Sequence, residues 1–66
     1  DGIWQMKRGD IVRIGSSGLI GIVHSVFWRG AAGSGMSYID KVQVQHPNGM
    51  ISEHDPDSLE VIDENA

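Results

Sequence analysis

The sequence predicts an all-β domain of five short strands, on three observations. Val, Ile and aromatic residues gather in short runs separated by Gly, Pro, Asn, Asp and Ser clusters, as strands bounded by turns require. Nine glycines in 66 residues interrupt the chain too often for long helices. Residues 38–46 alternate with period two, Val42 and Val44 facing one way and Lys41, Gln43 and Gln45 the other, the pattern of a half-buried antiparallel strand.

Taken in order, residues before Gly9-Asp10 read as a turn, and Ile11-Val12-Arg13-Ile14 as a strand with Val12 and Ile14 on one face. Gly15-Ser16-Ser17-Gly18 turns the chain. Residues 19–28 form the longest apolar run and the longest strand, the glycines within and beside it, its valines and isoleucines and its two aromatics arguing against a helix. Strict alternation puts Ile20, Ile22, His24, Val26 and Trp28 on one face and Leu19, Gly21, Val23, Ser25 and Phe27 on the other. Both faces then carry apolar groups, which implies either a strand bent across two packed sheets or an outer face covered by another subunit.

Residues 29–37, RGAAGSGMS, read as a flexible loop. No helix follows it, so its glycines do not make a phosphate cradle. Pro47-Asn48-Gly49 supplies a tight turn with Asn-Gly suited to positive φ, and residues 50–54 return as a strand. Asp55-Pro56-Asp57-Ser58 reads as one helical turn, Pro favouring its first position and Asp or Ser side chains able to cap its amides. Residues 59–62 close the domain and 63–66 are a polar tail. Residues 1–8 read as an N-terminal extension, and Met6 would make a natural start.

Bulk properties narrow the function. A chain of 66 residues folds as one domain and buries only about 60% of its unfolded surface, so a tight β-core, oligomerisation or both must stabilise it. Cysteine is absent, which removes disulfides and thiolate metal sites. No apolar run is long enough to span a bilayer and no secretory signal pattern is present, so a cytoplasmic location is expected. Residues 1–41 hold all five bases against three acids, and residues 42–66 hold six acids and no base. That acidic second half argues against nucleic acid as the main partner. A nucleic-acid-binding barrel would have to rely on Lys7, Arg8, Arg13 and Arg29.

Five strands, a long second loop, a tight third turn and a helical turn before the last strand describe an SH3-like barrel. The stretches RGDIVRIGSSGLIGIVHSVF and VQVQHPNGMISEHDPDSLEVI resemble the SH3-like barrel of the plasmid-borne type II dihydrofolate reductases. The shared features are a Gly-Asp-x-Val-Arg opening strand, a Gly-centred second strand ending in aromatics, a His-Pro turn and a Leu-Glu-x-Ile close, over residues 9–28 and 42–62. The resemblance implies a tetramer around a pore that binds folate and a nicotinamide cofactor through a Val-Gln-Ile-Tyr segment on the fourth strand. That segment falls on Ile51-Ser52-Glu53-His54, where only the apolar first position is kept. A four-fold ring of Glu53 carboxylates would repel the cofactor phosphates and the folate tail, so the family's chemistry is not carried over.

Candidate sites follow from residue type and placement. Trp28 and Tyr38 flank the long loop, and with Arg29, Glu53 and His54 they make the expected peptide-binding surface, aromatic rings as shallow pockets and acids for a basic ligand. One of Phe27 and Trp28 is expected in the core and the other outside. Ile20, Ile22, His24 and Phe27 are the expected self-association residues, with His24 able to make assembly respond to pH at about 6–7. Glu53 and His54 point to opposite faces of a strand and cannot clasp one ion, although His46 and His54 could approach each other across the Asn-Gly turn. No serine stands in a nucleophile elbow. The reading is a non-enzymatic interaction module that forms a homo-oligomer, with no catalytic residue, metal or cofactor and no membrane contact. The alternative is an oligomeric oxidoreductase like the type II dihydrofolate reductases, with Ser52 and His54 in a shared pore.

Overall fold

The computed structural model describes residues 6–30, 35 and 37–65. Within them the chain is all-β, with β1 (Ile11–Ile14), β2 (Ile20–Gly30), β3 (Ser37–Gln45), β4 (Ile51–His54) and β5 (Leu59–Asp63). A single 3-10 turn, Pro56–Ser58, precedes β5. The strands form one antiparallel sheet in the order β4-β3-β2-β1-β5. The fold class expected from the sequence is therefore the one observed. Among the described residues no helix is long and apolar enough to cross a membrane.

Alternation delivers the core. Val12 and Ile14 from β1, Val23 from β2, Ile39, Val42 and Val44 from β3, and Leu59 from β5 are all buried, with Val26 and Val61 at the margin. Each such valine contributes roughly 1.5–3 kcal/mol by leaving water. Met6 belongs to the same cluster. The fold thus extends beyond residues 9–62 at both ends, because Met6 packs inside and Asp63 ends β5.

Strict alternation fails along β2. Val23 pairs with Val44 and Ser25 with Gln43, leaving His24 as the extra residue of a bulge. The bulge flips the remaining residues, so Val26 stands opposite Val42 on the core side, the same side as Val23. The expectation that Val26 shares a face with Ile20 and Ile22 is thereby corrected. A second irregularity, where Phe27 pairs with Lys41 and Trp28 with Ile39, leaves Asp40 unpaired. It serves β3 in the same way, keeping Ile39 and Val42 on one face.

Phe27 and Trp28 are both exposed, at 45% and 56%. The expectation that one is core fails because β1 pairs with β2 only at residues 20–22, and β4 with β3 only at residues 42–45. Residues 26–30 and 37–41 therefore have no third strand beside them. They form a two-stranded arm, and the molecule is 40 Å long but only about 20 Å across. The strands also run further into the expected 29–37 loop, since Arg29, Gly30 and Ser37 are paired. The rest of that loop, at 31–34 and 36, lies outside the described residues, as do residues 1–5.

The 3-10 turn forms where expected, with Pro56 at its start, but no side chain caps it. The Asp55 carboxylate instead takes the Lys41 ammonium, which raises the Lys41 pKa. At the Pro47-Asn48-Gly49 turn only Gly49 has positive φ, at 90°. The amide of Gly49 donates to the His46 carbonyl at 2.9 Å, and that of His46 to the Met50 carbonyl at 2.8 Å, which starts β4 in register with β3.

Asp10, 1% exposed, fastens the two ends of the fold together. Its carboxylate accepts the Lys7 amide at 3.0 Å, the Lys7 ammonium at 3.2 Å and the Asn65 amide at 2.8 Å. The turn that brings Lys7 back to Asp10 needs positive φ at Gly9, which is +94°. Burial by itself would raise the Asp10 carboxyl, but the Asn65 and Lys7 amides and the Lys7 charge outweigh it and hold the carboxyl below its ordinary value.

Two predictions follow from the core and its clasp. Asp10→Asn is expected to cost about 1–3 kcal/mol near neutral pH, because at a buried position it weakens acceptance from the Lys7 and Asn65 amides and removes the charge facing Lys7. Since the folded carboxyl titrates lower than an unfolded one at about 3.9, its contribution is complete above that value and fades as pH falls below it. Urea denaturation should then show the two proteins converging below about pH 4. At Gly21, an added Cβ would lie 2.5 Å from Val44 Cγ1 and 2.8 Å from the Gln45 carbonyl. Gly21→Ala should accordingly lose about 1–3 kcal/mol in the same assay.

Candidate functional site

The outward face of the sheet carries an apolar band that only strand pairing assembles. Ile11 pairs with Ile22, Ile22 with Gln45, and Gln45 with Ile51, so these four side chains form one row across β1, β2, β3 and β4. Ile20 lies beside Ile22 in the next row, opposite Arg13. Ile20 and Ile22, on the central strand, are 45% and 49% exposed, an unusual state for β-branched residues at the middle of a sheet, and Ile51 on the edge strand is 47% exposed. Pro47 and His46 border Ile20 and Ile22 around a shallow hollow of about 400 Å³.

The rim of this band is charged with both signs. Arg13 donates to Glu60 at 3.1 Å at one end. At the other, Ser25, Gln43 and Glu53 form a polar row, followed by Phe27 beside Lys41. An apolar centre inside a mixed-charge rim is the anatomy of a protein contact.

Of the expected self-association residues, Ile20, Ile22 and Phe27 are exposed on this outward side, and His24 is half-buried in the bulge. The His24 ring stands 3.0 Å from the Ser25 hydroxyl through Nδ1. Ile11 and Ile51 were not singled out by the sequence. Their outward direction is legible from alternation, but their place beside Ile22 depends on strand register, which residue types do not encode.

The expected peptide-binding set is divided between four places. Arg29 and Tyr38 stand opposite each other near the end of the two-stranded arm, and Trp28 lies beside Ile39 on the arm's other side. Arg29 is engaged with Asp40 at 3.3 Å. Glu53 pairs with Gln43, five positions along β3 from Tyr38, a separation of about 17 Å at roughly 3.3 Å per residue. His54 pairs with Val42 on the opposite face from Glu53. Trp28, Tyr38 and Arg29 therefore do not converge with Glu53 and His54.

A second hollow, about 460 Å³, lies between the N-terminal turn and the arm, with Lys7, Arg8, His24, Phe27 and Trp28 among its walls. Lys7 is already committed to Asp10.

On the core side of the β4 edge, His46, Ser52 and His54 are linked. The Ser52 hydroxyl oxygen lies 2.6 Å from Nε2 of His46 and 2.6 Å from Nε2 of His54. A hydroxyl has one proton, so it donates to one ring while accepting from the N–H of the other. Ser52 faces this way because it pairs with buried Val44, and His54 because it pairs with buried Val42. No group of three His, Cys, Asp or Glu side chains able to hold a metal is found among the described residues.

Comparison with protein-family models, with curated proteins and with solved structures finds no match to the chain. The functional reading therefore rests on the surface itself.

The two sides of β2 should respond differently to substitution. Val23→Ala, at a residue 1% exposed, is expected to lower stability by about 1.5–3 kcal/mol. Ile22→Thr, at a residue 49% exposed, should stay within about 0.5 kcal/mol. Urea denaturation at low micromolar protein measures both without contribution from association.

Proposed function

We propose that the protein is a small non-enzymatic interaction module that self-associates through the outward face of β2, with the SH3-like barrel as its scaffold. The observation that carries this reading is the outward row in which exposed Ile22 and Ile51 flank Gln45 and half-buried Ile11 lies beside Ile22, with exposed Ile20 in the next row. A monomeric domain with so small a core gains more from covering this band than from hydrating it. The occupant that suits it is a second copy of the same chain. The rim carries Arg13 with Glu60 at one end, and Glu53 and Lys41, the latter bound to Asp55, at the other, so a two-fold arrangement can set opposite charges against each other without an external basic partner.

The resemblance to the type II dihydrofolate reductases supports a second reading, an oxidoreductase whose pore is shared among four copies. Its supporting observation is that Ile51, Ser52, Glu53 and His54 constitute β4, an edge strand of the sheet. Edge position leaves those residues available to neighbouring copies. This reading requires a tetramer and affinity for a nicotinamide cofactor, whereas the module requires neither.

Light scattering behind size exclusion separates these readings. The module predicts a dimer or larger species at about 100 µM for the parent chain and a monomer for Ile22→Glu, since a carboxylate at the band centre would have to be buried unpaired. A monomeric parent chain, or an Ile22→Glu protein of unchanged mass, would refute it. A tetramer that also binds a reduced nicotinamide dinucleotide would move the assignment to the reductase reading.

A further inference from the structure

We propose that His46, Ser52 and His54 form a chelating site for a borderline-soft divalent cation such as Zn²⁺, open enough to keep coordination positions for water or an external ligand. Both imidazole Nε2 atoms lie 2.6 Å from one hydroxyl oxygen, so they are no more than about 5.2 Å apart. Two imidazoles bound to one zinc at about 2.0–2.1 Å each stand about 3.3–4.2 Å apart, depending on the angle between them. Small rotations of the two rings about their side-chain bonds close that gap. The cation then takes the position between the rings now bridged by the serine, with Oγ at hand as a weak third donor.

The scaffold favours this arrangement. Ser52 and His54 are fixed by pairing with Val44 and Val42, and His46 is held by the hydrogen bond from its amide to the Met50 carbonyl. Two donors therefore sit on the paired edge strand and His46 at the hydrogen-bonded start of the β3–β4 turn, which limits the ordering that chelation must impose. All three side chains are half-buried, which strengthens a metal–ligand bond relative to one in bulk water. The chain's net charge of −4 adds a general attraction for cations.

Donor chemistry selects the ion. Two imidazoles suit zinc, nickel or copper and not calcium or magnesium, which require several oxygens. Two imidazoles and a hydroxyl do not complete a tetrahedral structural site. The site is accordingly one for exchangeable, micromolar binding.

Isothermal titration of the full chain with Zn²⁺ at pH 7.5 in a non-coordinating buffer tests the assignment. One saturable site per chain is expected, weakened at least tenfold by either His46→Gln or His54→Gln and unchanged by His24→Gln. Long-range ¹H–¹⁵N spectra of the parent chain give a readout free of substitution, in which Zn²⁺ should shift Nε2 of His46 and His54 and leave His24 in place. Absence of saturable binding, binding that survives either substitution, or equal shifts at all three histidines would overturn the proposal.

Discussion

The bulge at His24 is the constraint on which the sheet depends. β2 lies at the middle of five strands and carries more apolar side chains than one core can take. Without the extra residue, Val23 and Val26 would face opposite sides, and the sheet would bury one valine and expose the other. With it, Val23 meets Val44 and Val26 meets Val42 on the same side. The core stays continuous from Val12 across β2 to β3. What the bulge cannot do is bring Ile20 and Ile22 inside as well, because they precede it and alternate with Gly21 and Val23.

Gly21 explains why those isoleucines stay outside. Its α-carbon lies against the Val44 side chain and the Gln45 carbonyl, leaving no space for any side chain on the core side. The start of β2 thus presses glycine inward and isoleucine outward, and the close approach at Gly21 and the apolar band are two sides of one packing arrangement. The same register sets Ile11 and Ile51 in line with Ile22. An exposed band produced in this way is a consequence of the core design, and its apolar members on β1, β2 and β4, bridged by Gln45 on β3, make it a candidate contact and not a scatter of surface residues.

Much of this was legible in the sequence because it is local. Val12 with Ile14, Val42 with Val44, the Pro47-Asn48-Gly49 turn and Pro56 at the head of the 3-10 turn each follow from spacing or from a residue with restricted φ. The two bulges were not legible, since His24 and Asp40 carry no signature of an extra residue in a ladder and the choice is made by the core they feed. Alternation therefore misplaced Val26. That neither Phe27 nor Trp28 enters the core was not legible, because aromatic character says nothing about whether a third strand lies alongside. The Asp10 clasp was hidden for another reason: Asp10 and Asn65 are far apart in the chain, and only closure of the fold brings them together. The linked His46, Ser52 and His54 were partly visible as a turn with flanking histidines, but the bridging hydroxyl needed the pairing of Ser52 with Val44.

The functional proposal stands or falls on whether a second copy of this chain covers the isoleucine band. The most direct test is an isotope-filtered nuclear Overhauser experiment on a mixture of chains with ¹³C-labelled isoleucine methyls and unlabelled chains. Self-association through this face should give intermolecular cross-peaks at the δ-methyls of Ile20, Ile22 and Ile51. Cross-peaks absent from all three at millimolar protein would contradict it.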